Sequence, residues 1–211
     1  MYEIIVSGPV STNTILLFCP KTKQAAIVDP SFGSLEKIQQ IVSENHLHIS
    51  MILITHSHWD HVLDLAKVKL FYNVDVFAHK DDIPNLLDPG SDQLRAPIPM
   101  EKIDACKQLT HNQILPLGQL QIKVLHTPGH TPGSLCFYLE NQQVLISGDT
   151  FFKNAIGRLD LPTARKEKMK DSLIMLSKLP PKTLVVPGHG PTTTIEKESW
   201  LKDPEKQFSL N

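Results

Sequence analysis

The segment Thr55-His56-Ser57-His58-Trp59-Asp60-His61 constrains this chain more than any other. It follows Ile49 to Ile54, a mostly apolar run of the kind expected for a strand buried on both faces. Imidazole nitrogens and a carboxylate crowded just beyond a strand end form a metal-ligand set by type, suited to zinc or iron. In an extended segment His56 and His58 point the same way and can share one ion. A helix expected from about Asp60 to Leu70 then turns Asp60 and His61 toward a second position. A solvated polar loop would explain one histidine, but not four ligand-type side chains at this spacing.

Three further segments repeat one pattern: Leu125 to His130, Val144 to Asp149, and Leu184 to His189. Each is an apolar run, then a glycine, then a ligand-type side chain. Glycine lets the backbone turn sharply and approach its neighbours without a Cβ clash. In α/β architectures sites gather beyond the carboxyl ends of strands. The chain is therefore expected to fold so that these strand ends converge. His56, His58 and His130 would hold one ion and Asp60, His61 and His189 the other, with Asp149 bridging.

The rest of the chain reads as a frame for that site. Strands are expected at Tyr2 to Val6, Asn13 to Phe18, Gln24 to Val28, Asp75 to Ala78, Ile122 to Thr127, Leu135 to Leu139, Val144 to Ser147 and Thr183 to Pro187. Asp29-Pro30 closes the third. Helices are expected from a Ser34 cap to about Asn45, from Arg165 to Lys178, and at Ile195 to Leu201. Residues 81–109 show no period beyond a loop with a short helix. Strands dominate each half, with helices interspersed, which points to an α/β (α+β) fold: an αββα sandwich of two mixed sheets flanked by helices. At 211 residues the chain fits a single domain, 1–211.

Composition narrows the function. With 21 basic against 22 acidic residues and a net charge of −1, nothing indicates a nucleic-acid or membrane-surface binder. Cys19, Cys106 and Cys136 are odd in number and unpaired in pattern, as in a reducing compartment. No apolar run is long enough to span a bilayer and no basic leader opens the chain, so a cytoplasmic location is expected. Of the other histidines, His46 and His48 read as solvated, His79 as a helix-start residue, His111 as part of a polar turn and His126 as hydrogen-bonded within a strand. Trp59 fits packing or a cleft wall, Cys136 the core, and Arg158 and Asp160 either an ion pair or the pocket lining.

His56-x-His58-x-Asp60-His61, followed by His130, Asp149 and His189, resembles the full ligand set of the metallo-β-lactamase superfamily, from Asn13 and Asp29-Pro30 onward. Thr127 to Ser134 and Ser147-Gly148-Asp149-Thr150 look like its short glyoxalase II (hydroxyacylglutathione hydrolase) branch. True β-lactamases resemble the pattern with cysteine or serine in place of Asp149. The resemblance implies the αββα fold, two divalent ions (zinc first, iron or manganese otherwise), and hydrolysis of a small thioester. Asp60 would both ligate and orient the attacking water, and Arg158 would meet substrate. Pro191 to Asn211 leaves room for one helix and an extension, not for a helical region that grips glutathione. Gly157-Arg158-Leu159-Asp160 is similar to a Gly-Arg-Thr-Asp stretch of short glyoxalase II-like proteins and of persulfide dioxygenases, with Leu159 as a departure, and the second likeness implies an alternative: an iron-dependent oxidoreductase using His56, His130 and Asp149. A non-catalytic domain holding metal for stability alone is disfavoured, because structural zinc sites are commonly rich in cysteine.

Overall fold

The computed structural model describes residues 1–208 and 210. Six strands form the first sheet in chain order: β1 (Tyr2–Ser7), β2 (Thr12–Phe18), β3 (Gln24–Val28), β4 (His48–Leu53), β5 (Val76–His79) and β6 (Lys107–Leu109). The second sheet contains β7 (Ile114–Leu117), β8 (Leu120–His126), β9 (Leu135–Leu139), β10 (Val144–Gly148), β13 (Leu184–Pro187) and β14 (Thr193–Thr194). Between β10 and β13, β11 (Phe151–Phe152) and β12 (Ala155–Ile156) form a small hairpin. Pairing is parallel along β3 to β6 and between β10 and β13, and antiparallel elsewhere, so both main sheets are mixed.

Period-two alternation explains the layering. In β2, Ile15 and Leu17 face a core shared with Ile122, Phe137 and Val186 of the second sheet. Leu16 and Phe18 face the opposite way, into a core closed by Ile38 of α1 (Leu35–Asn45) and Val68 of α3 (Leu65–Tyr72). Beyond the second sheet, Leu145 and Val185 pack on Met169, Leu173 and Leu176 of α5 (Lys166–Leu176). The order is helix, sheet, sheet, helix: the αββα sandwich. Among the described residues no helix is long and apolar enough to cross a membrane.

Four local expectations need correction. The helix expected over Asp60 to Leu70 is two, α2 (Trp59–Val62) and α3. They part at Asp64, whose N–H donates to Pro30 O and whose carboxylate accepts the Leu35 N–H at the start of α1. β4 is fully buried only at Ile52 and Leu53, where β5 pairs with it; its first half lacks that neighbour and is half exposed. Residues 81–109 contain α4 (Ile83–Leu87) and end in β6. The last expected helix is two 3-10 turns, Ile195–Lys197 and Ser199–Lys202, followed by α6 (Pro204–Phe208). Glu198 breaks it by turning inward to accept from Thr193 Oγ1, Trp200 Nε1 and the Asn154 N–H.

Both sheets end at the same edge. Thr12 bridges to His189, the Asn13 N–H donates to Gly188 O at 2.7 Å, and Asn13 Nδ2 donates to Pro187 O at 2.9 Å. The Leu135 N–H donates to Thr55 O at 2.8 Å. These bonds tie the carboxyl ends of β13 and β4 to the opposite sheet, and the Gly188 N–H donates to Gly148 O at 2.8 Å, bringing the end of β10 into the same rim.

Candidate metal centre

That rim carries all seven expected side chains. His56, His58 and His130 present one nitrogen each within 4.8 Å of one another, and Asp60, His61 and His189 form a second such group. Asp149 lies between them: Oδ1 is 3.4 Å from His61 Nε2, while Oδ2 is 3.6 Å from His130 Nε2 and 3.5 Å from His189 Nε2. Asp60 Oδ2 sits 3.1 Å from His189 Nε2 and accepts the Thr12 hydroxyl at 3.3 Å. The sharp strand-to-ligand turns require glycine. A Cβ on Gly188 would strike Asp149 Oδ1 and come within 2.7 Å of His61 Cε1.

The partners behind the imidazoles decide which nitrogens carry protons. Carbonyls and carboxylates only accept. His130 Nδ1 therefore donates to Arg158 O at 2.9 Å, His189 Nδ1 to Val10 O at 3.2 Å, and His61 Nδ1 to Asp29 Oδ2 at 2.9 Å. Thr55 Oγ1 gives its own proton to Asp29, so it accepts from His56 Nδ1 at 3.1 Å. In all four rings Nδ1 is taken up by a partner behind it and Nε2 is the atom turned to the cluster; it is bare where the ring is neutral, as in His56 and His130. His56 Nε2 and Asp149 Oδ1 are buried with no hydrogen-bond partner. His58 turns Nδ1 inward, 2.8 Å from His130 Nε2. Convergent ring nitrogens, with four of the five rings fixed from behind by an acceptor for Nδ1–H, are what a metal ion requires.

Electrostatics agree. Burial, with His130 close by, pushes the His58 imidazole down to about 3, and burial with neighbouring histidines holds His56 well below the usual range. Burial would depress His61 too, but Asp149 and Asp60 outweigh it and hold that ring well above its ordinary value. Burial opposes ionisation of Asp60, yet His61 and His189 lower it. A trio of neutral imidazoles beside a charge-rich half is a donor set that fits two cations.

The cluster floors a cavity of about 510 Å³, walled by Trp59, Phe152, Ile156 and Leu161 and edged by Arg95 and Arg158. Arg158 plays both of its expected parts: it lines the cavity, and its guanidinium binds Asp160 in two bonds of 2.9 and 2.7 Å. Cys136 is in the core, and His46 and His48 are exposed. His79 does not start a helix. It closes β5 and stacks on His126 at 3.9 Å, and His126 Nε2 donates to Pro132 O.

Two carboxylates that matter here escaped the sequence reading. Asp29 holds both Thr55 and His61. Asp82, fully buried, accepts from the N–H groups of Ser57 and Gly133 and from the Thr131 hydroxyl, pinning the loops of His56–His58 and His130 together. Asp29-Pro30 was the only local sign of the first; the second had none.

The profile of the metallo-beta-lactamase superfamily matches residues 7–189. The probable metallo-hydrolase YqgX of Bacillus subtilis is 35% identical over 207 residues, covering 96% of each chain. The hydroxyacylglutathione hydrolase GloC of Haemophilus influenzae is 33% identical over 201 residues, covering 93% of each. Among solved structures, the B3 metallo-beta-lactamase BLEG-1 superposes with a TM-score of 0.87 at 34% identity, over 96% of this chain and 100% of that one. TTHA1623 in a di-iron-bound form does so at 0.81 and 31%, over 95% and 98%. ETHE1 from Myxococcus xanthus does so at 0.79 and 26%, over 96% and 83%. Profile, relatives and architecture agree along nearly the whole length: the chain belongs to the metallo-β-lactamase superfamily.

Proposed function

We propose that the protein is a binuclear metal-dependent hydrolase of small thioesters, of the glyoxalase II type. One observation carries the reading: two donor groups of three side chains each, with Asp149 between them, form the floor of an apolar-walled cavity. Divalent ions held by His56, His58 and His130 and by Asp60, His61 and His189 would supply a water ionised near neutral pH and a Lewis acid for a carbonyl. Zinc heads the candidates, with iron and manganese next, and the di-iron form of TTHA1623 supports iron.

The chain's own residues do the rest. Thr12 and His189 fix the Asp60 carboxylate at the cavity floor, where it orients a water toward the acyl carbon. Trp59, Phe152 and Ile156 receive the apolar part of the substrate and exclude bulk water. Arg158 O keeps His130 turned inward while its guanidinium stays at the mouth. The naming of GloC as a hydroxyacylglutathione hydrolase supports the thioester, and the free cysteines Cys19, Cys106 and Cys136 support the cytoplasm as the compartment. The likeness to ETHE1 favours a second reading, oxidation of a persulfide with one iron at His56, His130 and Asp149.

Protein purified without added metal separates these. The expected result is two metal ions per chain, turnover of S-lactoylglutathione, no oxygen uptake with glutathione persulfide and slower turnover of a chromogenic cephalosporin. One iron with oxygen uptake overturns the hydrolase in favour of the second reading. Faster cephalosporin turnover would place the protein with BLEG-1 instead.

A further inference from the structure

The loop from Asp88 to Cys106, between α4 and β6, contributes Leu94 and Arg95 to the lining of the cavity. It is tied to the metal-ligand segment by a chain of buried polar bonds. Asn85 Nδ2 donates to Ser57 O at 2.7 Å, between His56 and His58, and to Asp92 Oδ2 at 3.0 Å. Asn85 Oδ1 accepts the Gly90 N–H at 2.9 Å, and Asp92 Oδ1 accepts the Leu94 N–H at 3.0 Å. Asn85 and Asp92 are both buried, and the two bonds that Asn85 Nδ2 donates are made in a low dielectric, where losing one is costly. The residue after Leu94 is thus presented from a fixed backbone.

Charge is distributed unevenly around that cavity. The chain has only three arginines, and two of them, Arg95 and Arg158, line this cavity; no lysine does. Arg158 is engaged by Asp160 in a bidentate pair. Arg95 is exposed and has no salt-bridge partner among the described residues, so its planar fork is free for an incoming anion. A guanidinium matches a carboxylate with two parallel bonds, which a lysine would not do. Apart from the two arginines and the His/Asp floor, the cavity is lined by apolar side chains, and Arg95 is an exposed cation there, so an anion it holds belongs to the part of the substrate away from the reacting bond.

We infer that Arg95 is a specificity-determining residue that reads a carboxylate on the thiol portion of the substrate, and that Asn85 and Asp92 are positioning residues that hold its loop against Ser57. The inference rests on the thioester reading above. Binding energy from such a remote contact serves to anchor and align the substrate.

The test compares kcat/KM for S-lactoylglutathione with that for the lactoyl thioester of N-acetylcysteamine, which has no carboxylate on the thiol. Metal-loaded wild type, Arg95→Gln, Asp92→Ala and Lys182→Gln are assayed, with melting curves to confirm folding. Lys182 lies before β13, at the strand end opposite the site. Wild type and Lys182→Gln are expected to favour the glutathione thioester by about five- to tenfold, or about 1–1.4 kcal/mol. In Arg95→Gln and Asp92→Ala the ratio falls to about two or less, and the loss lies in KM rather than kcat. Calorimetric binding of S-methylglutathione, which cannot be hydrolysed, weakens by the same factor in Arg95→Gln. A ratio near one in wild type, or the wild-type ratio and affinity retained in Arg95→Gln, overturns the inference while leaving the hydrolase standing. Failure to cleave either thioester overturns the hydrolase, and the S-methylglutathione affinities still decide Arg95.

Discussion

Asp29 adopts φ +52°, a left-handed conformation that costs a side-chain-bearing residue on the order of 1 kcal/mol. Its carboxylate accepts the Thr55 N–H at 2.7 Å, the Thr55 hydroxyl and His61 Nδ1–H at 2.9 Å, and its bond to Thr55 reaches on to His56. One unligating carboxylate therefore sets the proton on a ring of each half-site. Asp29→Asn tests this with little change of shape, since asparagine also tolerates the left-handed region. An amide offers one accepting oxygen where the carboxylate had two. If its NH₂ faces His61, that ring must keep its lone pair on Nδ1 and point a proton at the cluster. The expected outcome is a protein with unchanged circular dichroism and metal affinity lowered about 10- to 100-fold, measured by equilibrium dialysis with elemental analysis. Wild-type affinity would show that the Asp29 bond does not govern His61. The ligands themselves were legible from spacing because they crowd one segment or follow glycines. Asp29 and Asp82 were not, because a side chain that supports a ligand segment from 25 or more positions away leaves no local pattern.

At the scale of elements, the strand-glycine-ligand pattern does the positioning, and it was readable because strand and ligand are contiguous. What the sequence left open was broken up by single polar residues that turn inward, such as Asp64 between α2 and α3 and Glu198 between the 3-10 turns. The two-residue strands β11 and β12 are too short for any period to show. Two glycines at the end of β13 separate contact from backbone strain. Gly190 has φ +73° with nothing within 4 Å of an added Cβ, whereas a Cβ on Gly188 would meet Asp149 and His61. Gly190→Ala should therefore cost about 1 kcal/mol of stability, the left-handed penalty, and keep its metal. Gly188→Ala should stay folded but lose at least tenfold in metal affinity, because Asp149 must move. Denaturant unfolding and metal titration of both variants check this. If both lose metal alike, the close approach at Gly188 is not what holds Asp149 in place.

On the scale of the whole molecule, the site is a seam. His56, His58, Asp60 and His61 follow β4 of the first sheet; His130, Asp149 and His189 follow β8, β10 and β13 of the second. Each donor group draws on both sheets, so metal can be held only when the sandwich is assembled. Without an ion, five imidazoles and two carboxylates are packed together, and His56 Nε2 and Asp149 Oδ1 have no partner. Metal removal should therefore lower stability without changing the fold, because an ion binds the folded state and not the unfolded one. At a free metal concentration about 100 times Kd the linkage is worth about 2.7 kcal/mol. For a chain of this length that amounts to a rise in Tm of about 5–10 °C. The measurement is calorimetric melting of chelator-stripped protein with zinc, manganese or ferrous iron added back under anaerobic conditions. Unfolding should remain a single transition that moves up with metal, since the ions join the two sheets. An unchanged Tm at full metal occupancy would mean that the unfolded chain holds the ions as tightly as the folded one, so that assembly of the two sheets is not what creates the site.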